Sequence, residues 1–220
     1  MLHFPLISVV IIGNSSLSHL YHCLNAFTKV DYPQDQLEYL IILPNHFPVA
    51  SAVQSLPQVR IIQFDEMINW NCQTAREEGL FFVHGDYVQL IEASYSLLPK
   101  WLKTGLSFFA YQQIIGVVGN IAADGHHLVP ELKLMQQEAS QPMMPLNDGF
   151  YSTAILRQLY ANYAKSMPGQ TIVLPTSAKT IHVDETMAVV NNNLPVLPKS
   201  NRSLFGGSLR VLFSKYISVH

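Results

Sequence analysis

The run Tyr87-Val88-Gln89-Leu90-Ile91-Glu92-Ala93-Ser94 passes from an apolar strand into a carboxylate and a hydroxyl two positions apart. In α/β proteins the C-terminal end of a central strand is where ligands meet the sheet. A carboxylate there can take a hard cation, and a neighbouring hydroxyl can reach a substrate oxygen. Other candidate groups point elsewhere. His126 and His127 follow the turn signal Asp124-Gly125, but adjacent residues of a strand face opposite sides and do not close on one ion. Chain order shows no Ser-His-Asp or Cys-His nucleophile and no nucleophile elbow. Cys23 and Cys72 are the only cysteines. Two make neither a disulfide framework nor a zinc cluster, and both fall in helical patterns, so they read as buried thiols of a reducing cytosol.

The elements that must carry Glu92 are read from periodicity. Residues 6–12, an uninterrupted β-branched run, predict a strand buried on both faces. Ser16 is placed to cap a helix whose inner face is Leu17, Leu20, Tyr21, Leu24 and Phe27. Pro33 breaks that pattern. Strands are predicted at 37–43, 59–64, 86–91 and 114–123, with helices at 48–56 and 71–83 and one opened by Pro99 at its first position. Alternating strands and helices predict an α/β, doubly wound Rossmann-like sheet with right-handed crossovers. Beyond residue 125 the pattern loosens: a loop at 140–149, a helix at 152–164, and short strands at 171–175 and 179–183.

The 220 residues fit one domain of 1–190, a linker of 191–203 and a tail of 204–220. Charged residues are only 13% of the chain, against about 25% in typical soluble domains. Either the core is thick and the surface polar through Asn, Gln, Ser and His, or an apolar face is exposed to a partner. The tail places Leu209, Leu212, Phe213 and Tyr216 on one side, so it either packs on its own domain or docks at a protein or membrane surface. Net charge is −2 with neutral histidines, which gives no basic patch for nucleic acid. No apolar run approaches a membrane span and no secretory leader is visible, so the expected location is cytoplasmic, peripheral to a membrane if the tail docks there. The loop after the first strand, Gly13-Asn14-Ser15-Ser16, lacks both the dinucleotide fingerprint and a Walker A motif.

Several blocks, in order, resemble the inverting family 2 glycosyltransferases. "PLISVVIIGNSS…LYHCLNAF…DYPQDQLEYLIIL" is similar to their opening. Ala75-Arg76 and Gly79 match an A-R-x-x-G helix, and Gly85-Asp86-Tyr87-Val88 match the start of the fourth strand. Pro99 and Trp101-Leu102 match a P-x-W-L segment, and Glu92-Ala93-Ser94 fall where the family carries Asp-x-Asp. The resemblance covers roughly residues 5–122. It implies a GT-A-type mixed sheet with helices on both faces. It also implies a nucleotide-diphosphate sugar as donor, Mg²⁺ or Mn²⁺ against the diphosphate, and inverting transfer to a glycan, lipid or protein hydroxyl. A separate carboxylate would take the acceptor proton.

On that template Glu92 is the candidate metal ligand and Ser94 stands where the stronger carboxylate is expected. His182 is a candidate late ligand to the same ion. Asn14, Ser15, Asn69, Trp70, Arg76 and Ser94 are the candidate donor-binding residues. Asp148 and the pair Asp184-Glu185 are the carboxylates available as a base. Leu43 and Pro44 replace the acids that usually end the second strand. These departures keep a second expectation open, a catalytically inactive GT-A domain that binds a glycan or a protein.

Overall fold

The computed structural model describes residues 4–13, 16–45, 47, 53, 58–64, 71–110, 114–123, 126–128, 143–145, 148–158, 173–175 and 179–190. Six strands share one direction. They are β1 (Ile7–Ile12), β2 (Leu37–Pro44), β3 (Val59–Phe64), β4 (Tyr87–Glu92), β6 (Ile114–Ala123) and β11 (Lys179–Val190). With β5 (Tyr95–Leu97), β7 (His126–Leu128) and β9 (Gly149–Ser152) they form a nine-stranded mixed sheet. Its order is β3-β2-β1-β4-β9-β6-β11-β5, with β7 paired to β6. β8 (Met143–Pro145) and β10 (Val173–Pro175) pair as a separate antiparallel ribbon.

Strand alternation divides the core into two layers. Ile7, Val9 and Ile11 of β1 face α1 (Leu17–Phe27) and α3 (Trp101–Phe108), packing with Leu20, Leu24, Phe27, Trp101 and Leu102. Val10 and Ile12 face the other side, against Ala75 of α2 (Cys72–Gly79), Leu80 and Leu156 of the helical segment 153–158. Each large apolar side chain buried this way contributes about 1.5–3 kcal/mol. With helices on both faces, the sheet is doubly wound, as its continuous apolar strands require. Ser16 caps α1 by accepting the His19 N–H at 3.2 Å.

The bottom of the sheet, at the N-terminal ends of the strands, is locked by a polar knot. Buried Ser8 accepts the Gly85 N–H at 2.7 Å and donates to Glu38. Glu38 also accepts the His84 N–H at 2.5 Å, meets the His84 ring at 3.0 Å and pairs with Arg60 at 3.2 Å. The knot clamps the approach to β4 across β1 onto β2. Gly85 is required there, because a Cβ would lie 2.6 Å from the Ser8 nitrogen.

Several elements differ from the sequence expectation. α2 stops at Gly79 instead of reaching 83. Leu80 and Val83 turn into the core, while Phe81 stays 55% exposed. α3 begins at Trp101; the Pro99 carbonyl accepts the Asp31 N–H at 2.8 Å and the proline lies before the helix. β9 was not anticipated. It inserts antiparallel between β4 and β6, so the expected run of parallel strands is interrupted. β8 falls within the expected loop of 140–149. The helix expected at 152–164 is described over 153–158. β11 is one twelve-residue strand where a short one ending at 183 was expected. Of the helix at 48–56 only Val53 is described, and it is helical. Residues 124 and 125 are outside the described residues, but Ala123 faces His126 as a two-residue hairpin turn demands. The linker 191–203 and the tail 204–220 lie outside the described residues. Among the described residues no helix is long and apolar enough to cross a membrane.

The knot sets a pH dependence. Burial pushes the Glu38 carboxyl up, but hydrogen bonds from Ser8 and His84, with Arg60 nearby, outweigh it and hold the group below its ordinary range. Its contribution to stability is therefore full above the ordinary carboxylate pKa and fades as pH falls through the lower folded value. Glu38→Gln should cost about 1–3 kcal/mol at neutral pH. The gap to the native chain should close as the pH falls below the ordinary carboxylate range in urea unfolding curves.

Candidate functional site

β1, β2, β4 and β6 all end at the top of the sheet. Ser94 and Ala93 form the tight turn that joins β4 to β5 there. The Ala93 N–H donates to the Ile12 carbonyl at 2.9 Å, so the turn is pinned to the end of β1. Glu92, the last residue of β4, is half-buried on the α2 side of this edge.

Arg76 reaches this edge from α2 because the helix lies close to the sheet. Ala75 and Gly79, one turn apart, form its inner face, and a Cβ on Gly79 would sit 2.8 Å from the Val10 side chain. Asn71 caps the helix by accepting the Thr74 N–H at 2.8 Å. The Arg76 Nε donates to Asp148 Oδ1 at 2.9 Å and its Nη2 to the same oxygen at 2.6 Å. Nη2 also donates to Glu92 Oε1 at 2.8 Å. Asp148 completes the arrangement: its Oδ2 accepts the Glu92 backbone N–H at 3.1 Å. The Arg76 and Asp148 side chains are only 10% and 7% exposed. Burial alone would make Arg76 less basic, but Asp148 and Glu92 more than offset it, so the guanidinium stays charged. Burial pushes the Asp148 carboxyl up, against the pull of Arg76.

The structure thus brings together Glu92, Ser94, Arg76 and Asp148. Asn14, Ser15, Asn69 and Trp70 lie outside the described residues. At the end of β2, Leu43 and Pro44 are buried, where the resemblance leads to the expectation of acids. Asp148 lies at the start of β9, fully engaged by Arg76 and by the Glu92 amide. That geometry suits a residue that positions Glu92 better than one that receives an acceptor proton.

Sheet register locates the remaining carboxylates. Gly149 faces Leu90 of β4, so Asp148 stands level with the end of that strand. On β6, Val118 pairs with His182 and Asn120 with Thr186. One residue of β6 is therefore opposed by three of β11, Val183, Asp184 and Glu185, in a wide irregularity at the same level. Such bulges bend a strand and re-aim its side chains. The backbone of Asp184 and Glu185 lies three strand spacings from β4, about 14 Å.

Sequence reading missed Tyr95. It follows Ser94 as the first residue of β5 and packs against the α1-side core. Burial, then Glu92 and Asp148, push its phenol up, so it remains protonated. Its position directly after the motif was the one available signal. Cys72, one helical turn before Arg76, is half-buried at the same corner.

A resident divalent cation fits this corner poorly. Such ions take several oxygen ligands. Here Glu92 Oε1 and both Asp148 oxygens are already bound to Arg76 or a backbone amide. Among the described residues no group of three or more His, Cys, Asp or Glu side chains could hold a metal.

Removing one member of the buried trio should leave an unpaired charge. Arg76→Ala should cost about 3–5 kcal/mol in denaturant unfolding. Adding Asp148→Leu to Arg76→Met should recover part of that loss, because the more deeply buried of the two orphaned carboxylates is then gone.

No protein-family model and no curated protein matches the chain. Solved structures do. S. aureus TarS 1–349 in complex with UDP-GlcNAc aligns with TM-score 0.58 at 15% identity, over 87% of this chain and 60% of that one. Full S. aureus TarS aligns with TM-score 0.55 at 13% identity, over 84% of this chain and 36% of that one. The mannosyltransferase PcManGT from Pyrobaculum calidifontis, in complex with GDP-Man and Mn²⁺, aligns with TM-score 0.55 at 12% identity, over 91% of this chain and 59% of that one. The chain thus spans well under two thirds of the length of each. The likeness is one of fold: this chain has the GT-A-type architecture of nucleotide-sugar glycosyltransferases.

Proposed function

We propose that this chain binds a nucleotide-diphosphate sugar over the top of β1, β2 and β4 and transfers the sugar, by an inverting mechanism, to an acceptor hydroxyl. The observation that carries the reading is Glu92, fixed at the end of β4 by Arg76, in a fold whose similar structures hold UDP-GlcNAc and GDP-Man. In this reading Arg76 and Asp148 position Glu92. The donor-contacting set is Asn14, Ser15, Asn69, Trp70, Arg76 and Ser94. Mg²⁺ or Mn²⁺ arrives with the diphosphate, not as a resident ion, with Glu92 and His182 as its protein ligands. Asp184 or Glu185, at the far side of the same level, serves as the base that takes the acceptor proton. The acceptor is a glycan, lipid or protein hydroxyl.

A second reading follows from Ser94 and from the way Arg76 occupies both nearby carboxylates. On it, the chain is a catalytically inactive GT-A domain that binds a glycan or a protein partner at this edge.

Calorimetry with UDP, GDP and dTDP sugars, with and without Mn²⁺, separates the two. Donor binding is expected, weakened by EDTA and by Glu92→Ala. The absence of binding to every donor would sink the transferase reading and leave the binding module. A donor that binds allows a second measurement. Asp184→Asn or Glu185→Gln, whichever removes the base, should lower turnover by about 10²–10⁴-fold while donor affinity holds.

A further inference from the structure

Gln89 is a polar side chain set deep in an apolar layer. It lies on β4 three residues before Glu92 and is fully buried. Its neighbours Trp101 and Met187 both belong to the α1-side core. Its Oε1 accepts the Nε1–H of Trp101, the first residue of α3, at 2.8 Å. Its Nε2 donates to the Leu90 carbonyl at 2.8 Å and meets the Met187 sulfur of β11 at 3.8 Å. Both ends of the amide are thus engaged, as burial of a polar group demands. One side chain joins β4, α3 and β11.

Met187 is no ordinary strand position. The ladder between β11 and β6 steps from Thr186–Asn120 to Ala188–Ile121, so Met187 is an extra residue of β11. It is fully buried, and groups outside β6 hold it. The Leu98 N–H donates to its carbonyl at 2.9 Å, and the Gln89 amide meets its sulfur. Trp101 secures both anchors, donating through its backbone to Leu98 at 3.1 Å and through its ring to Gln89. The wide irregularity that contains Asp184 and Glu185 ends at Thr186, one residue before this anchor. At its other end stands the His182–Val118 pair. The path of that stretch is therefore set by β6 at its start and by β4 and α3 just past its end.

We propose that Gln89 is a positioning residue for the transfer: through Met187 it fixes the Asp184–Glu185 stretch of β11 relative to Glu92 on its own strand. This rests on the transferase reading above, in which Asp184 or Glu185 is the base. Gln89 touches neither donor nor acceptor in this role. Its effect falls on the chemical step, because a misplacement of about 1 Å at a reacting group costs up to about a hundredfold in rate.

The test uses the full chain as Gln89→Met and as the double variant Gln89→Met with Trp101→Phe. The single change orphans the buried Trp101 N–H and so lowers stability; the double change removes both partners, which is close to neutral. The probe is whichever UDP, GDP or dTDP sugar the native chain binds in Mn²⁺. Its affinity is read by calorimetry and its turnover as release of the nucleoside diphosphate with water as acceptor. In the double variant, turnover is expected to fall about ten- to a hundredfold while donor affinity holds. Hydrogen exchange at the amides of residues 183–187 is expected to quicken, since their anchor is gone. Unchanged turnover overturns the inference, because Gln89 is then a packing residue alone. Unchanged exchange at 183–187 overturns it as well. A loss of donor affinity in step with turnover also overturns it, because Gln89 then shapes the donor side. A native chain that binds no sugar of the panel, or binds one without releasing diphosphate, fails the transferase reading and takes this inference with it. That failure is read on the native chain, so the two are distinguished.

Discussion

A single buried guanidinium organises the top of this protein. Arg76 belongs to α2, Glu92 ends β4 and Asp148 precedes β9, and Arg76 donates to the side chains of both carboxylates. A buried ion of either sign is costly unless paired and hydrogen-bonded. The depth of α2, the end point of β4 and the insertion of β9 must therefore agree to within hydrogen-bond tolerance. The small inner face Ala75–Gly79 and the Ile12–Ala93 bond are the local means by which they do so. The polar knot around Glu38 does the same at the opposite end. The central strands are thus clamped at both ends by charge and in the middle by apolar packing.

The division of labour at the site follows from that constraint. A carboxylate that holds a buried arginine through one oxygen and a backbone amide through the other has little left for chemistry. Asp148 belongs to this kind. Glu92, by contrast, is half-buried at the edge of the sheet, with Oε1 bound to Arg76. The irregular stretch of β11 leaves Asp184 and Glu185 outside regular ladder pairing, which is where a strand can present a side chain independently of the pleat. Asp148 and the pair Asp184-Glu185 thus stand on different strands, in different backbone settings.

Much of the frame was legible in the residues. β1, β2 and β4 announce themselves as apolar runs because strands buried on both faces cannot alternate; β3 and β6 are legible as shorter β-branched stretches. Ser16 and the α1 stripe were equally plain. β9 was not, since Gly149–Ser152 is four residues long and takes its partners from β4 and β6, far along the chain. The length of β11 was missed because Asp184 and Glu185 look like the end of a strand; they are instead its bulge. The Arg76–Asp148 pair spans 72 positions, and no local pattern encodes it. The A-R-x-x-G block located Arg76 but gave no partner, and Leu43 and Pro44 showed what the second strand lacks without showing what replaces it.

β11 lends its two edges to different purposes. It runs parallel to β6 along one edge, then, past its irregularities, closes on β5 with the other, matching Val190 to Tyr95. Among the described residues the three-residue β5 has no other partner in the sheet. The turn after Glu92 is therefore shaped by chain that arrives almost a hundred residues later. Closing so long a loop is entropically slow, and non-local pairing of this kind comes late in folding. The top corner is thus a finishing feature of the molecule: its upper edge is complete only when the chain has folded through to Val190.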